Sequence, residues 1–174
     1  MAANTLWCIP LDKLKIREIT LFAVLGAMTF AAKYMMAALP NIEPVSLMVM
    51  LFAVTFGKKA VYPVYLYVLM ELLFFGIGTW NIMYLYIWGI LALAAYLCRS
   101  MENSLGWALL SGGFGLLFGA FCAPVDMAIG GLGYAVSKWI SGIPFDLAHS
   151  AGNFVMALVL FRPMRRLLKK QYRK

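Results

Sequence analysis

The chain has little charge of either sign. Of its 174 residues only 13% are charged, seven are Asp or Glu and one is His, whereas 64% are hydrophobic. The mean hydropathy is +0.84. This composition excludes a water-soluble enzyme or a nucleic-acid-binding domain, because their surfaces need many more charged residues. It is typical of a protein that lies almost wholly within a membrane.

The sequence also lacks the short motifs of common metal and nucleotide sites. It has no Gly-x-x-x-x-Gly-Lys-Ser/Thr loop to bind phosphate and no His-Glu-x-x-His motif to bind zinc. The three cysteines, Cys8, Cys98 and Cys122, are far apart and predict neither a disulfide nor a metal site. We therefore expect no metal, no cofactor and no enzymatic activity.

What the chain does have is long apolar runs. Six can be read along the sequence, at 18–39, 45–57, 60–78, 80–98, 105–129 and 144–161. A bilayer core of about 30 Å takes about 20 residues of helix, so these runs predict an all-α integral membrane protein, a six-transmembrane-helix bundle. Residues 1–174 are predicted to form one membrane domain, with a cytoplasmic segment at 1–17, the bundle at 18–161 and a basic cytoplasmic tail at 162–174.

The basic residues are distributed unevenly between the two sides of this predicted bundle. Thirteen of the 15 Lys and Arg residues fall on the side of both termini, and only Lys33 and Lys138 fall near the other side. Short cytoplasmic loops retain Lys and Arg, so both termini are predicted to be cytoplasmic. The same rule explains the net charge of +8 through contact with membrane lipid, without nucleic acid as a partner. The first run is too long for the apolar part of a signal peptide.

Small residues recur at helical spacing in two of the runs. Ala23, Ala27 and Ala31 lie four residues apart in the first run. Small side chains let two helices approach closely in lipid, where packing drives association. The spacing leaves two interpretations open for this stripe, a contact inside the bundle or a docking face for another subunit. A second stripe, in the fifth run, predicts tight packing inside the bundle and comprises Ser111, Gly115, Gly119 and Ala123.

Polar side chains are confined to the outer half of the predicted bundle. Such groups are costly in a membrane unless they are paired or hydrated, so they mark either a ligand site or structural contacts. A channel would need polar groups through its full depth, so this cluster predicts instead a pocket that opens outward. The predicted substrate-binding residues are Glu43, Glu71, Asn81, Tyr84, Trp88, Asp126, Trp139, Asp146, His149 and Asn153.

Helical spacing groups some of these residues on shared faces. Asp146, His149 and Asn153 lie at i, i+3 and i+7 and so share one helical face. The alternative to ligand binding is a structural role, in which Asp146 only orients a buried His149. Glu71 could likewise serve only the donors of a neighbouring helix. Two outer connections, 40–44 around Glu43 and the glycine-rich stretch 130–143, are predicted to be loops that close over a ligand.

Three sequence features together indicate a family. They are the stripe Ala23, Ala27 and Ala31, the connection Leu-Pro-Asn-Ile-Glu-Pro-Val-Ser at 39–46, and the segment Gly-Ile-Pro-Phe-Asp-Leu-Ala-His-Ser-Ala-Gly-Asn at 142–153. With them, nearly the whole chain resembles the substrate-binding (S) subunit of an energy-coupling factor (ECF) transporter. The resemblance implies a bacterial cell-membrane protein that captures a vitamin or related micronutrient outside the cell. It also implies docking, through the alanine face, on a membrane scaffold subunit driven by two ATPase subunits.

Two other classes of function remain as alternatives. A rhomboid-like protease would use an activated Ser in a Gly-x-Ser-Gly turn, and the nearest sequence here, Leu109-Leu110-Ser111-Gly112, lacks the first Gly. A ligand-free membrane scaffold or assembly protein would not need carboxylates that converge in one leaflet. The resemblance does not identify the ligand, because ligand residues differ among members of the family.

Overall fold

The structure is a computed structural model that describes residues 14–38 and 42–173. Most of the predicted cytoplasmic segment 1–17, the positions Leu39, Pro40 and Asn41 of the first outer connection, and Cys8 lie outside the described residues. The described part of the chain contains helices and short turns and no strand, which confirms the all-α prediction. The helices are α1 (Ile16–Met35), α2 (Val45–Phe56), α3 (Val61–Phe75), α4 (Thr79–Leu97), α5 (Ser104–Leu116) and α6 (Phe118–Arg173).

Four stretches of these helices are long and apolar enough to cross a membrane. They are Ile16–Met35, Val45–Phe75, Thr79–Leu97 and Ser104–Tyr172. The second stretch joins α2 to α3 through the 3-10 turn Gly57–Ala60, and the fourth joins α5 to α6. The composition and length of these stretches confirm that the chain is suited to a membrane.

Side-chain contacts show that the chain reverses direction within the second stretch. Lys59, between α2 and α3, ion-pairs with Glu18 at the start of α1 with an Nζ–Oε1 distance of 2.7 Å. At the opposite end of α1, Lys33 lies 3.0 Å from Glu71 near the end of α3 and 3.9 Å from Glu43, which precedes α2. The helices α2 and α3 therefore run in opposite directions between the two ends of α1.

Most of the Lys and Arg residues lie at the end of the bundle that contains Glu18. The Tyr172 hydroxyl near the end of α6 donates to Glu18 Oε1 at 2.8 Å, and Arg165 donates to the backbone oxygens of Arg99 and Met101. These contacts bring the start of α1, the turn between α4 and α5, and the C-terminal part of α6 together. We call this the basic end, and the end around Lys33 the carboxylate end.

The prediction of a loop at 130–143 is wrong. This stretch belongs to α6 and is helical on both sides of a single break. The break is at Gly131, whose φ of 79° and ψ of 178° place it outside the helical region in a conformation that favours glycine. The two segments, 118–130 and 132–173, fold back on each other, and Lys138 ion-pairs with Asp126 across the hairpin at 2.9 Å. Helix pairing thus outweighs the loop-forming tendency of the other glycines in this stretch.

Close backbone contact holds this hairpin together, as the second small-residue stripe predicts. A Cβ built on Gly115 would lie 2.9 Å from the backbone of both His149 and Ser150, and one built on Gly119 would lie 2.5 Å from an Asp146 oxygen. The Gly115 contact is with backbone and is shorter than a Cβ accepts, so glycine at this position allows the two helices their close separation, whereas the Gly119 contact is with the end of a side chain.

A pair of neighbouring glycines tests this packing. We expect Gly115→Ala to destabilise the folded protein by about 1–3 kcal/mol, because the new methyl group must push two backbones apart. Gly113→Ala is the matched control, since nothing lies within 4 Å of a Cβ there, and Ala favours helix. Thermal unfolding of the two variants in detergent measures the difference. Equal melting temperatures would contradict the tight packing.

The core is centred on α2, which explains why its apolar run is short. Ten of its 12 residues are buried, and it packs mainly against α4 and α6. Because α2 is surrounded by other helices, it meets little lipid and need not match the full bilayer thickness by itself.

The helix α1 packs against α3 through a face that excludes the alanine stripe. Its buried residues are Phe22, Leu25, Gly26, Thr29 and Phe30. Ala23 and Ala31 are exposed and Ala27 is half-buried. Ala23 and Ala31 therefore have little contact with the described helices, which favours the docking interpretation of the stripe over a contact inside the bundle.

Candidate functional site

A cavity of about 550 Å³ opens at the carboxylate end of the bundle. Its size lies within the range of 300–1,000 Å³ typical of sites for small molecules. It lies between the ends of α1, α3 and α4, the residues before α2, and α6. Its lining residues are Phe30, Lys33, Tyr34, Met36, Ala37, Ile42, Glu43, Glu71, Phe75, Trp80, Tyr84, Phe118 and His149.

The polar part of this cavity is organised around Lys33. Its Nζ lies 3.0 Å from Glu71 Oε2, 3.1 Å from the Tyr84 hydroxyl and 3.9 Å from Glu43 Oε2. The same nitrogen lies 5.0 Å from the centre of the Tyr84 ring. The carboxylates neutralise the lysine and the lysine offsets part of their charge, which lowers the free-energy cost of placing them here.

Burial also affects Glu43, which lies outside the helices that are long and apolar enough to cross a membrane. Loss of solvent raises the pKa of the Glu43 carboxyl above its ordinary value, and the positive charge of Lys33 acts in the opposite direction. Ile42, next to it, lies against Gly152 of α6, where an added Cβ would be 3.2 Å away. Two described residues of the 40–44 connection, Ile42 and Glu43, therefore line the cavity, and Ile42 also contacts α6.

Two buried polar atoms at the cavity wall have no hydrogen-bond partner among the described residues. They are Oε1 of Glu71 and Nε2 of His149. Glu71 is 2% exposed and His149 is 4% exposed. The imidazole ring of His149 packs edge-on against Phe118, with ring centres 4.9 Å apart. Buried polar atoms in folded proteins are almost always paired, so these two atoms are available to a ligand or to ordered water.

Of the residues predicted from the sequence to bind substrate, the structure brings four together in this cavity: Glu43, Glu71, Tyr84 and His149. Trp88 is wholly buried in an aromatic cluster beside Tyr84, with ring centres 5.3 Å apart. Trp139 lies on the hairpin, where its ring approaches Gly119. Neither tryptophan lines the cavity.

The remaining four predicted residues lie outside the cavity wall and make contacts within the protein. Asp126 pairs with Lys138, and Asn81 Oδ1 accepts a hydrogen bond from the Gly78 N–H at 2.7 Å at the start of α4. Asp146 accepts from the Gly119 N–H at 3.2 Å, where α6 begins, and Asn153 donates to the Ser46 hydroxyl at 3.0 Å. These contacts hold helix ends and helix pairs in place.

Lys33 is the central cavity residue that the sequence did not predict. A single Lys near the end of an apolar helix is an ordinary interfacial anchor, so its position alone gave no signal. The signal that could have identified it was its positive charge, because it is one of two cations that fall outside the cytoplasmic side of the predicted topology.

Within the described residues, no three His, Cys, Asp or Glu side chains lie close enough to hold a metal ion.

Comparisons of the chain with protein-family models, with curated proteins and with solved structures found no significant match. The function of the chain is therefore inferred from its sequence features and from the geometry of the cavity.

Proposed function

We propose that this chain is the substrate-capture subunit of an ATP-driven ECF-type importer. The observation that supports this proposal is the cavity at the carboxylate end, in which Glu71 and His149 present unpartnered buried atoms. An unpaired buried polar atom costs free energy, which a ligand that pairs with it would recover. The described lining of the cavity includes none of the residues that define the basic end, which suits capture rather than conduction.

The proposal places the protein in the bacterial cell membrane with six crossings and both termini in the cytoplasm. The crossings are α1, α2, α3, α4, the segment 104–130 and the segment 132–161. The concentration of Lys and Arg at the basic end supports this orientation, because cytoplasmic ends retain basic residues. The cavity then opens to the outside of the cell.

Cysteine labelling in intact cells tests this orientation. In a variant without Cys8, Cys98 and Cys122, we expect a cysteine at Gly133 to react with a membrane-impermeant thiol reagent and one at Lys170 to be protected. Gly133 suits the test because nothing lies within 4 Å of an added Cβ. Lys170 is exposed near the end of α6. Labelling at Lys170 but not at Gly133 would reverse the orientation and place the cavity inside the cell.

The chain must act with other subunits if this proposal is right. It has no phosphate-binding loop, so ATP hydrolysis falls to two ATPase subunits, and a membrane scaffold subunit connects them to this chain. The alanine stripe Ala23, Ala27 and Ala31 is the proposed docking face. Its exposure on α1 supports this role, because close approach of a partner helix needs small, accessible residues.

The proposed ligand is a small water-soluble vitamin or related micronutrient with a flat nitrogen heterocycle. Aromatic side chains on several sides of the cavity favour a planar ring, and the carboxylates favour ring or amino N–H groups. Ile42 and Glu43 line the cavity, and in this proposal the connection that contains them closes over a bound ligand.

Native mass spectrometry of the purified protein tests capture directly. We expect a small molecule to be retained in a one-to-one complex, and its addition to the ligand-free protein to raise the melting temperature. The matched control is the Glu71→Gln variant, which should retain less of it. If no molecule is retained and no water-soluble vitamin raises the melting temperature, the ligand-free scaffold becomes the better explanation.

A further inference from the structure

We infer that the cavity selects an organic monocation that carries at least one N–H donor, and that Glu71 is the residue that recognises it. This inference rests on the proposed function, because it assumes that the cavity captures a ligand. It goes further by fixing the charge of that ligand and the atom that receives its hydrogen bond.

The charge follows from the ionisable groups that line the cavity. Counted at their formal charges, the Lys, Asp, Glu and Arg side chains of the described lining are Lys33, Glu43 and Glu71, which together give one net negative charge. A monocation brings this set to neutrality. An anion would face two carboxylates, with one cation already shared between them at 3.0 Å and 3.9 Å. Electrostatic complementarity therefore disfavours an anionic ligand.

The donor requirement follows from the unpartnered atoms. Lys33 and Glu71 form their ion pair through Oε2, which leaves Oε1 of the same carboxylate buried at the cavity wall and unpartnered. An ionised carboxylate only accepts hydrogen bonds, so its partner must be a donor. A charged N–H donor forms a stronger bond with it than a neutral one. His149, another lining residue, has a second unpartnered buried atom, Nε2.

The aromatic walls add an independent argument for positive charge. Six aromatic side chains line the cavity: Phe30, Tyr34, Phe75, Trp80, Tyr84 and Phe118. The faces of such rings attract cations, and aromatic enclosures are a common way to bind organic cations. Lys33 shows that this wall accepts one, because its ammonium already lies over the Tyr84 ring.

Small aromatic probes of different charge test the inference without knowledge of the natural ligand. The probes are benzamidinium, a planar cation with N–H donors; trimethylphenylammonium, a cation without them; benzamide, which is neutral; and benzoate, which is anionic. Binding of each to the full chain in uncharged nanodiscs is measured by calorimetry and by thermal shift. We expect benzamidinium to bind about tenfold or more tightly than either trimethylphenylammonium or benzamide, and benzoate to bind least.

Two variants connect the preference to Glu71. We expect Glu71→Gln to remove about tenfold of the preference for benzamidinium over benzamide, because it takes away the charge and keeps the shape. Asp126→Asn is the matched control, since it also removes a buried carboxylate but one outside the cavity, and it should leave the preference unchanged. An equal loss in both variants would assign the effect to general electrostatics and overturn the role of Glu71.

The possible outcomes separate this inference from the proposed function. Tighter binding of benzoate or benzamide than of benzamidinium would overturn the monocation and leave capture intact. Equal binding of benzamidinium and trimethylphenylammonium would support the charge and overturn the donor requirement. If no probe binds at millimolar concentration, but native mass spectrometry finds a retained neutral or anionic molecule, the monocation fails and capture stands. If neither experiment finds a ligand, both proposals fail.

Discussion

Replacing Lys33 with Met is expected to destabilise the folded protein by about 3 kcal/mol, within the range for breaking a buried ion pair. The lysine side chain is 23% exposed, whereas the Glu71 side chain is 3% exposed. The substitution therefore leaves Glu71 and Glu43 close together in a site with little solvent and no cation. Both the lost attraction and the repulsion between two carboxylates act against folding. Thermal and denaturant unfolding in detergent measure the loss.

Two further variants make this result specific. Lys58→Met removes an exposed lysine at the basic end, away from the cavity, and should change stability by less than about 0.5 kcal/mol. Adding Glu71→Gln to Lys33→Met should restore part of the lost stability, because the uncompensated charge is then gone. A Lys33→Met protein as stable as the unsubstituted chain would show that the cluster does not depend on its lysine.

The sequence predicts which residues share a helical face near the candidate site, but it does not predict which of them line the cavity. Asp146, His149 and Asn153 do lie on one side of α6, as their spacing indicates. That side meets a different neighbour at each level: Gly119 at Asp146, Phe118 and the cavity at His149, and Ser46 at Asn153. Which of them faces the cavity depends on the packing of other helices, and no local pattern specifies that packing.

The same limit applies to Lys33. Its partners Glu43 and Glu71 are distant in sequence and approach only because α1 lies against α3. That contact depends on Gly26, where an added Cβ would lie 2.9 Å from Leu66. Sequence spacing reports the faces of one helix, whereas the charge of the cavity is set by contacts among several.

The apolar runs predicted the helical class well, but the ends of the helices less well. The run at 105–129 corresponds to α5 and the first part of α6, because the break after Leu116 interrupts the helix without turning the chain. The glycine-rich stretch was predicted as a loop from its composition. It is helical because two antiparallel segments support each other, and only Gly131 needs a backbone conformation outside the helix.

The two faces of α1 connect the cavity to the proposed partner. The buried face holds Gly26 against α3 and carries Lys33 near the C-terminal end of the helix. Another face carries the alanine stripe, in which Ala23 and Ala31 are exposed and Ala27 is half-buried. A ligand that alters the contacts of Lys33 therefore acts on the same rigid helix that the proposed scaffold subunit would contact.

Replacing Ala27 with Trp is expected to abolish substrate uptake and to leave ligand binding intact. A large ring in the middle of the stripe would prevent close approach of a partner helix, because such contacts depend on small side chains. The ion pairs of Lys33 and the ligand cavity should be unchanged, since Ala27 does not line the cavity. The measurements are uptake of the retained ligand by cells that contain the proposed transporter, co-purification of the proposed ATPase subunits, and the ligand-induced rise in melting temperature of the isolated chain.

Position on the helix provides the control for this experiment. Met28 is 55% exposed on the same helix but outside the stripe, so Met28→Trp should support normal uptake. Ala23→Trp, at an exposed position of the stripe, should reproduce the defect without disturbing any neighbour inside the bundle. If Ala27→Trp and Ala23→Trp both transport normally, docking occurs elsewhere. If both lose ligand binding together with uptake, the alanine face supports the fold of this subunit rather than its partnership.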